Sequence, residues 1–399
     1  MQFSQKGDTQ VENAIHEKQL RQVVPYTSLE ELPPSVQDQL AHLRHDVPNV
    51  ALLYYGGTLG AHQDPEGYLV PTNDAAQLLQ PLTIKGLDRE VNVVWVQVYP
   101  TAIDSTNGRW VHWVTIGNAV RLLHDLVDGF VVAGGTDTMA HLMAALNFMF
   151  PNIGKPVIGV GAQLPMFRQG DDATRNLYFA VSAALSDLSG AHLAFADVLR
   201  HGLHLFKVAD RRFDAFDCPQ RYVIGHYDGQ VNVYDNAPRR NPLVTQSRLD
   251  YLPDFREGIK VVKISPATVS EAILHDAKDP TCVALLLITF GAGNVRDTPL
   301  YEGERTHVEI IADLSTQGLP VILGSPMMDG VVDSPYRAGA KAIEAGGISG
   351  GDTCGAALEV KAMRCAALAW DRDQNHLNHD QFRAQMYRNH VGELTSIRK

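Results

Sequence analysis

The sequence predicts an α/β fold, with a larger N-terminal α/β domain built on a mostly parallel sheet and a smaller C-terminal α/β domain. Short runs of Val, Ile and Leu alternate with segments of helical periodicity, which is the pattern of parallel strands covered by helices on both faces. A stretch rich in proline, asparagine and arginine, from Asn236 to Pro253, interrupts this alternation before a second series begins. Two α/β domains joined by a linker therefore account for the pattern.

The predicted elements follow this alternation in order. The predicted strands are VALLYY at residue 50, VNVVWVQV at 91, GFVVA at 129, KPVIGV at 155, HLAFADVL at 192, IKVVKI at 259, CVALLLITF at 282 and LPVIL at 319. A helix is predicted after Thr138, because apolar residues recur there at helical spacing until Pro151 ends the pattern. A second long helix is predicted from Ala356 to Trp370.

These elements set the domain boundaries. Before the first strand, Ser28 and Glu31 stand at capping-box spacing, and Val36, Leu40 and Leu43 stand at helical spacing. The predicted parts are an N-terminal helical extension at 1–48, an N-terminal domain with the catalytic residues at 49–237, a linker at 238–257 and a C-terminal domain at 258–399.

Composition limits the classes of function. The chain has 399 residues, 45% of them hydrophobic, and its formal charge of -11 argues against nucleic-acid binding, which needs clustered Lys and Arg. It begins with the polar stretch MQFSQKGDTQ, and no run approaches the about 20 apolar residues of a membrane helix. The four cysteines are widely spaced, which favours free thiols. We therefore expect a cytoplasmic protein that acts on a small molecule, without nucleic-acid or membrane partners.

Two strand-to-helix corners carry the chemistry. FVVAGGTDTM spans Phe130 to Met139, and YYGGTLG ends at Gly60, so that each apolar run stops at Gly-Gly-Thr. The carboxyl ends of parallel strands open into a crevice, where a threonine hydroxyl can be a nucleophile or can cap the next helix. One corner alone favours capping, whereas two corners favour a shared site. A nucleophile also needs a base, and the local candidates are Asp137, Tyr68 and a lysine.

With both corners in view, the sequence resembles the bacterial L-asparaginases, and most closely the cytoplasmic type I form. The resemblance runs from about Val50 to the end of the chain, with its segments in the family's order. They are GGTLGAHQDPEGYLVP at 56, DST at 104, DGFVVAGGTDTM at 128, GKPVIGVGAQLP at 154, DATRN at 172, FDAF at 213, FGAGN at 290 and GELT at 392.

The resemblance implies catalytic roles for five residues. Thr58 matches the threonine that attacks the side-chain amide, and Tyr68 matches the tyrosine that helps to activate it. Thr136 matches the second threonine, and Asp137 matches the aspartate that holds the substrate's α-amino group and orients a lysine. Lys207 is that lysine by its spacing to FDAF, and it completes a relay with Thr136 and Asp137.

The resemblance also implies the substrate and the assembly. Ser105 matches the serine that binds the substrate's α-carboxylate, and Asn294 matches an asparagine near the neighbouring subunit's site. The implied reaction converts L-asparagine to L-aspartate and ammonia through an acyl-enzyme, with no metal or organic cofactor. The implied assembly is a homodimer or a homotetramer with the site near a subunit interface.

Some positions depart from the type I pattern. Leu205 and Phe206 stand where type I enzymes commonly carry threonines, and Gly134 stands where a histidine often precedes GTDT. These changes leave three alternatives open: a glutaminase-asparaginase that also takes L-glutamine, the amidase subunit of a tRNA amidotransferase, and a catalytically silent homologue that binds asparagine.

Overall fold

A computed structural model describes residues 26, 28–72, 78–80, 82, 90–166, 168–241, 248–333 and 336–395. The chain divides into two compact units: the first comprises residues 1–202 and 207–253, and the second comprises residues 203–206 and 254–399. The division after Pro253 lies within the segment predicted as a linker, and the predicted domain bounds themselves stay predictions.

The first unit is built on an eight-stranded sheet. Its strands and those of the accompanying short ladders are β1 (Asn49–Tyr54), β2 (Ala61–Gln63), β3 (Leu69–Pro71), β4 (Asn92–Gln97), β5 (Gly129–Ala133), β6 (Pro156–Val160), β7 (Gly190–Phe195), β8 (Val198–His201), β9 (Phe206–Lys207), β10 (Phe216–Asp217), β11 (Val223–Tyr227) and β12 (Val231–Val233). Its helices are α1 (Pro34–Ala41), α2 (Trp110–Leu123), α3 (Met139–Met149) and α4 (Ala173–Ala184). The sheet order is β12-β11-β8-β7-β6-β5-β1-β4.

The parallel part of this sheet confirms the predicted fold class. Strands β4, β1, β5, β6 and β7 pair in parallel, and every residue of β5 and β6 is buried. Helix α4 packs on β5, β6 and β7 from one side, and α3 packs on β7. Strands buried on both faces read as continuous apolar runs, which is why the sequence revealed them.

One predicted strand was wrong in its extent. The run HLAFADVL forms the end of β7 and the start of β8, which pair antiparallel. The chain reverses at Ala196 and Asp197, whose φ values are 48° and 62°. Two consecutive residues with positive φ make the tight turn that suits a hairpin, although neither is the glycine or asparagine that usually marks it.

Helix α1 lies against the edge strand β4. The Gln39 side chain donates to the Trp95 carbonyl at 3.1 Å and accepts from the Trp95 amide at 2.8 Å, so it covers part of the exposed strand edge. Ser28 precedes a short 3₁₀ turn and makes no side-chain cap, so the capping box predicted from its spacing to Glu31 is not formed. Residues 1–25 and 27 of the predicted extension lie outside the described residues.

The second unit is a smaller α/β unit. Its strands are β13 (Ile259–Lys263), β14 (Ala284–Ile288), β15 (Val321–Gly324), β16 (Ile348–Ser349), β17 (Trp370–Asp371) and β18 (His376–Leu377), and its helices are α5 (Ser270–Ala277), α6 (His307–Thr316), α7 (Arg337–Glu344), α8 (Gly355–Leu368) and α9 (His379–Met386). Strands β13 to β16 form a parallel sheet with an apolar cluster on each face. No helix among the described residues of either unit is long and apolar enough to cross a membrane.

A buried ion pair fastens the end of the chain to α8. Lys361 Nζ lies 2.8 Å from Glu393 Oε1, and the two side chains are 1% and 0% exposed. Lys361 also donates to the Arg388 carbonyl, and Glu393 accepts from the amides of His390 and Val391. Burial alone would raise the pKa of Glu393, but the charge and hydrogen bond of Lys361, with the two amides, hold it below its ordinary value.

Removing one partner of this pair should destabilise the protein strongly. We expect Lys361→Met to lower the free energy of unfolding by about 3–5 kcal/mol, because it leaves a buried carboxylate without its cation. The measurement is urea unfolding followed by circular dichroism. The matched control is the double variant Lys361→Met/Glu393→Gln, which should recover part of the loss because an uncharged amide still accepts from both backbone N–H groups.

The pH dependence gives this prediction a second test. A carboxyl whose pKa is lower in the folded state contributes stability above its ordinary pKa of 4.5 and loses that contribution as pH falls through the folded-state pKa. The difference in unfolding free energy between wild type and Lys361→Met should therefore shrink on acidification. A difference that stays constant with pH would contradict the ion-pair explanation.

Candidate active site

The two Gly-Gly-Thr corners lie side by side. Strands β1 and β5 are parallel neighbours with Tyr54 opposite Ala133, so the residues that follow each strand leave the sheet together. A Cβ atom built on Gly57 would lie 2.2 Å from the Gly135 nitrogen, and Gly57 has φ 81° and ψ -178°, a conformation essentially confined to glycine. Only glycine allows the two corners to approach this closely.

A third segment joins the two corners. The Gly57 amide donates to the Ile103 carbonyl at 3.2 Å, and the Ile103 amide donates to the Tyr55 carbonyl at 2.8 Å. Ser105 follows, 3% exposed, and its Oγ would lie 2.3 Å from a Cβ atom on Gly135. The structure thus brings Ser105 against the second corner, while Ile103 of the same segment bonds to the first corner.

The threonine hydroxyls do not serve as helix caps. Thr58 opens a short 3₁₀ turn whose N-cap is Gly57, and the N-cap of α3 is Thr138, whose side chain makes no capping bond. Within the described residues, neither Thr58 nor Thr136 makes a side-chain hydrogen bond. Thr136 is 7% exposed and Thr58 is half-buried. Of the two roles that the sequence left open for these hydroxyls, capping is therefore the one that the geometry does not support.

Lys207 lies between two carboxylates. It forms ion pairs with Asp137 and, at 2.8 Å, with Asp210, and its own side chain is 19% exposed. Burial by itself would lower the pKa of Lys207, but the hydrogen bonds and charges of the two carboxylates outweigh it and raise that pKa. The predicted contact of Lys207 with Asp137 is present, whereas no hydrogen bond joins Lys207 to Thr136 in the described part of the chain.

Tyr68 makes no hydrogen bond to this cluster among the residues described. Tyr68 lies in the β2–β3 hairpin, where its amide donates to Asp64 at 2.8 Å, and its side chain is 70% exposed. Asn294 belongs to the second unit, where its backbone N–H donates to the Phe290 carbonyl at 2.9 Å and closes a turn. Asn294 Oδ1 is buried and accepts no hydrogen bond from the residues that the structure describes.

Tyr55 is a site residue that the sequence did not reveal. Its Oη donates to the Gly135 carbonyl at 3.3 Å, and its ring fills the space beside Gly134, where a Cβ atom would lie 1.8 Å from the ring. This packing explains the glycine at position 134. Burial raises the pKa of the Tyr55 phenol, and the negative charge of Asp137 raises it further. The only sequence signal was its place directly before the first glycine pair.

The DATRN segment supports the loop after β6. The Asp172 carboxylate, in a side chain that is 8% exposed, accepts from the amides of Gln163 and Leu164 at 3.0 and 2.8 Å. The Gln163 side chain donates in turn to the carbonyls of Ala209 and Arg212, at 3.4 and 3.2 Å. Burial raises the pKa of Asp172, although the amide hydrogen bonds oppose this effect. Gln163 therefore holds the loop that follows Lys207.

Together these residues can perform nucleophilic chemistry on a small polar substrate. Two hydroxyls that lack side-chain hydrogen-bond partners in the described part of the chain lie on adjacent corners, beside an aspartate whose side chain is 49% exposed and a lysine that pairs with it. Backbone N–H groups at such corners are suited to stabilise a developing oxyanion. Among the described residues, no group of three His, Cys, Asp or Glu side chains could hold a metal ion.

Comparison with known proteins finds relatives among the L-asparaginases. A family model described as the N-terminal domain of asparaginase matches residues 49–239. An L-asparaginase of Thermococcus kodakarensis is 29% identical over 341 residues, which cover 85% of this chain and 97% of that protein. L-asparaginase 1 of Escherichia coli K12 is 27% identical over 349 residues, covering 87% of this chain and 98% of that protein.

A solved structure of the thermostable L-asparaginase from Thermococcus kodakarensis superposes with a TM-score of 0.74. It is 28% identical in sequence, and the match covers 87% of this chain and 99% of that one. The chain spans 60% of the length of an L-asparaginase of Dirofilaria immitis, with 28% identity over 379 residues. A glutamyl-tRNA(Gln) amidotransferase component from Thermoplasma acidophilum is also related, at 26% identity over 86% of this chain and 80% of that protein.

The corner contact predicts a position-specific effect of alanine. We expect Gly57→Ala to lower the free energy of unfolding by about 3 kcal/mol or more, because the strained backbone and the overlap with Gly135 each cost about 1–3 kcal/mol. The control is Gly67→Ala, since Gly67 also has a positive φ, of 92°, but no atom lies within 4 Å of its added Cβ.

Gly67→Ala should cost only about 1–2 kcal/mol, the strain of a left-handed residue. Both variants are compared by urea unfolding. Equal losses would show that the approach of the two corners imposes no constraint beyond the backbone angle.

Proposed function

Because the chain belongs to the asparaginase family, we propose that it is an amidohydrolase that converts L-asparagine to L-aspartate and ammonia with Thr58 as nucleophile. The observation that carries this proposal is the contact of Gly57 with Gly135, which sets Thr58 and Thr136 on adjoining corners with Ser105 beside them. One small amide substrate can then meet both hydroxyls.

The substrate's charged groups fit the chemistry of the corner residues. The α-ammonium group binds Asp137, whose Oδ1 is engaged by Lys207 and whose half-exposed carboxylate has a second oxygen to offer. The α-carboxylate binds the Ser105 hydroxyl, as the resemblance implies. Anchoring both ends of the amino acid directs its side-chain amide towards Thr58.

In the first half-reaction, Thr58 Oγ forms a bond with the amide carbon while the Tyr68 hydroxyl accepts the threonine proton and passes its own proton to the amide nitrogen. Backbone N–H groups of the glycine corners stabilise the oxyanion, and the C–N bond breaks as the nitrogen takes up a proton and leaves as ammonia. Because Tyr68 is 70% exposed, the β2–β3 hairpin has to move towards the substrate for this transfer. In the second half-reaction, water that hydrogen-bonds to Thr136, beside the Lys207–Asp137 pair, attacks the ester carbon. The bond to Thr58 Oγ breaks, and that oxygen takes a proton from the water as L-aspartate leaves.

The finer features of the proposal follow from the type I resemblance. We place the enzyme in the cytoplasm, acting without a cofactor, as a homodimer or homotetramer in which Asn294 approaches the neighbouring subunit's site.

The nucleophile can be tested directly. Thr58→Ala should reduce ammonia release from L-asparagine by more than about 10³-fold, beyond the loss that a missing oxyanion donor causes, because it removes the covalent route. Thr58→Ser is the matched control, since it keeps the hydroxyl and should retain measurable turnover. Thermal unfolding of both variants should resemble that of wild type, because Thr58 is half-buried and makes no side-chain hydrogen bond in the described residues.

The same assay discriminates between the alternatives. Comparable turnover of L-glutamine would identify a glutaminase-asparaginase, because one methylene is worth only about 1–3 kcal/mol in discrimination. Co-purification with a second protein and tRNA would favour the amidotransferase, although the charge of -11 opposes it. Thermal stabilisation by L-asparagine without ammonia release would indicate a silent binding homologue. Full activity of Thr58→Ala would refute the proposed nucleophile.

A further inference from the structure

Asp210 belongs to none of the segments that carry the resemblance, yet it touches the lysine of the site. It stands three residues after Lys207, and its Oδ1 lies 2.8 Å from Lys207 Nζ. Asp137 contacts the same ammonium group from the second corner. Lys207 is 19% exposed and Asp210 is 81% exposed, so this carboxylate reaches the lysine from the solvent side.

The loop that carries Asp210 is held on both sides of it. Strands β9 and β10 pair, and the Val208 amide donates to the Ala215 carbonyl at 2.8 Å, which closes the loop at its base. The Gln163 side chain donates to the carbonyls of Ala209 and Arg212, the residues that bracket the Asp210 position. The backbone at Asp210 is therefore fixed by contacts with the loop after β6.

The negative charge of Asp210 is needed to balance the positive charges that meet at Asp137. In the proposed reaction, the substrate's α-ammonium group binds the Asp137 carboxylate, which already pairs with Lys207. Two cations then share one carboxylate, and the Lys207 ammonium competes with the substrate. A second carboxylate on Lys207 balances the lysine separately and leaves Asp137 for the substrate.

We propose that Asp210 is a positioning residue that holds the Lys207 ammonium group and thereby frees Asp137 to bind the substrate's amino group. This inference rests on the proposed function for its effect on catalysis, and on the ion pair alone for its effect on Lys207.

Several charged or titratable groups face Lys207 and Asp210 and influence a pH titration of Lys207. Asp137 and Asp210 face Lys207, Arg211 faces Asp210, and the Tyr55 phenol faces Asp137. The paired lysine lowers the pKa of Asp210 through its hydrogen bond and its charge. Asp210 is consequently ionised across the neutral and alkaline range in which the Lys207 titration is followed.

The experiment compares Asp210→Asn with Asp214→Asn in the full-length protein. Asp214 lies in the same loop and pairs with Arg212 at 3.1 Å, so its change removes a nearby charge without touching Lys207. The Lys207 side-chain NMR signal, assigned with Lys207→Arg, is followed over the alkaline range in which the circular dichroism spectrum stays native. Asparagine kinetics are measured in parallel, with Asp210→Glu as the conservative variant.

We expect Asp210→Asn to move the Lys207 titration to lower pH, because the ammonium form loses one of its two anions. In wild type the same group should titrate above its ordinary pKa of 10.5. The KM for L-asparagine should rise about 3- to 10-fold, within the range of one charge-assisted hydrogen bond near the surface, with a smaller change in kcat. Asp210→Glu should restore part of both effects, and Asp214→Asn should show neither.

An unchanged Lys207 titration in Asp210→Asn would overturn the inference whatever the kinetics show. A shifted titration with an unchanged KM would overturn the role in freeing Asp137. Absence of asparagine turnover in wild type would contradict the proposed function instead, and the titration would still decide whether Asp210 holds the lysine.

Discussion

The contact between the Gly57 and Gly135 backbones is the constraint on which the rest of the site depends. Because β1 and β5 are parallel neighbours, their carboxyl ends leave the sheet side by side, and side chains at these positions would force the two corners apart. Glycine on both sides removes that obstacle. Ser105 and Tyr55 then pack against Gly135 and Gly134, so the space left by absent side chains is filled by neighbours from adjacent segments.

Beside these corners, the charged side chains are arranged so that the Lys207 ammonium group has two carboxylate partners. A half-buried ammonium group is stable only with anionic partners, and Lys207 has Asp137 from one corner and Asp210 from its own loop. The support continues outward, because Gln163 fixes the Asp210 loop and Asp172 fixes the backbone of Gln163. Loops after three different strands therefore contribute to the environment of one amino group.

The sequence allowed the fold class and the adjacency of the corners to be predicted, because buried parallel strands have continuous apolar runs and glycine pairs mark where they end. The pairing of Lys207 with Asp137 was also predicted, through the resemblance. Tyr55 was not predicted because its partner Gly135 is distant in sequence. Asp210 was not predicted because it belongs to none of the segments that carry the resemblance. The β7–β8 turn was missed because Ala196 and Asp197 adopt positive φ without a glycine.

The candidate site has a closely packed part and an exposed part, and this difference bears on how the proposed reaction is controlled. Both corners are tied to one segment, because Gly57 is hydrogen-bonded to Ile103 and Ser105 packs on Gly135. The β2–β3 hairpin differs, because Tyr68 is largely exposed and an added Cβ at Gly67 would meet no atom within 4 Å. In the proposed reaction, activation of Thr58 depends on the hairpin, whereas recognition of the substrate's amino and carboxylate groups depends on the closely packed corners. Under that proposal, a substrate bound at both charged ends gives Tyr68 a defined surface to contact, which links correct binding to proton removal from Thr58.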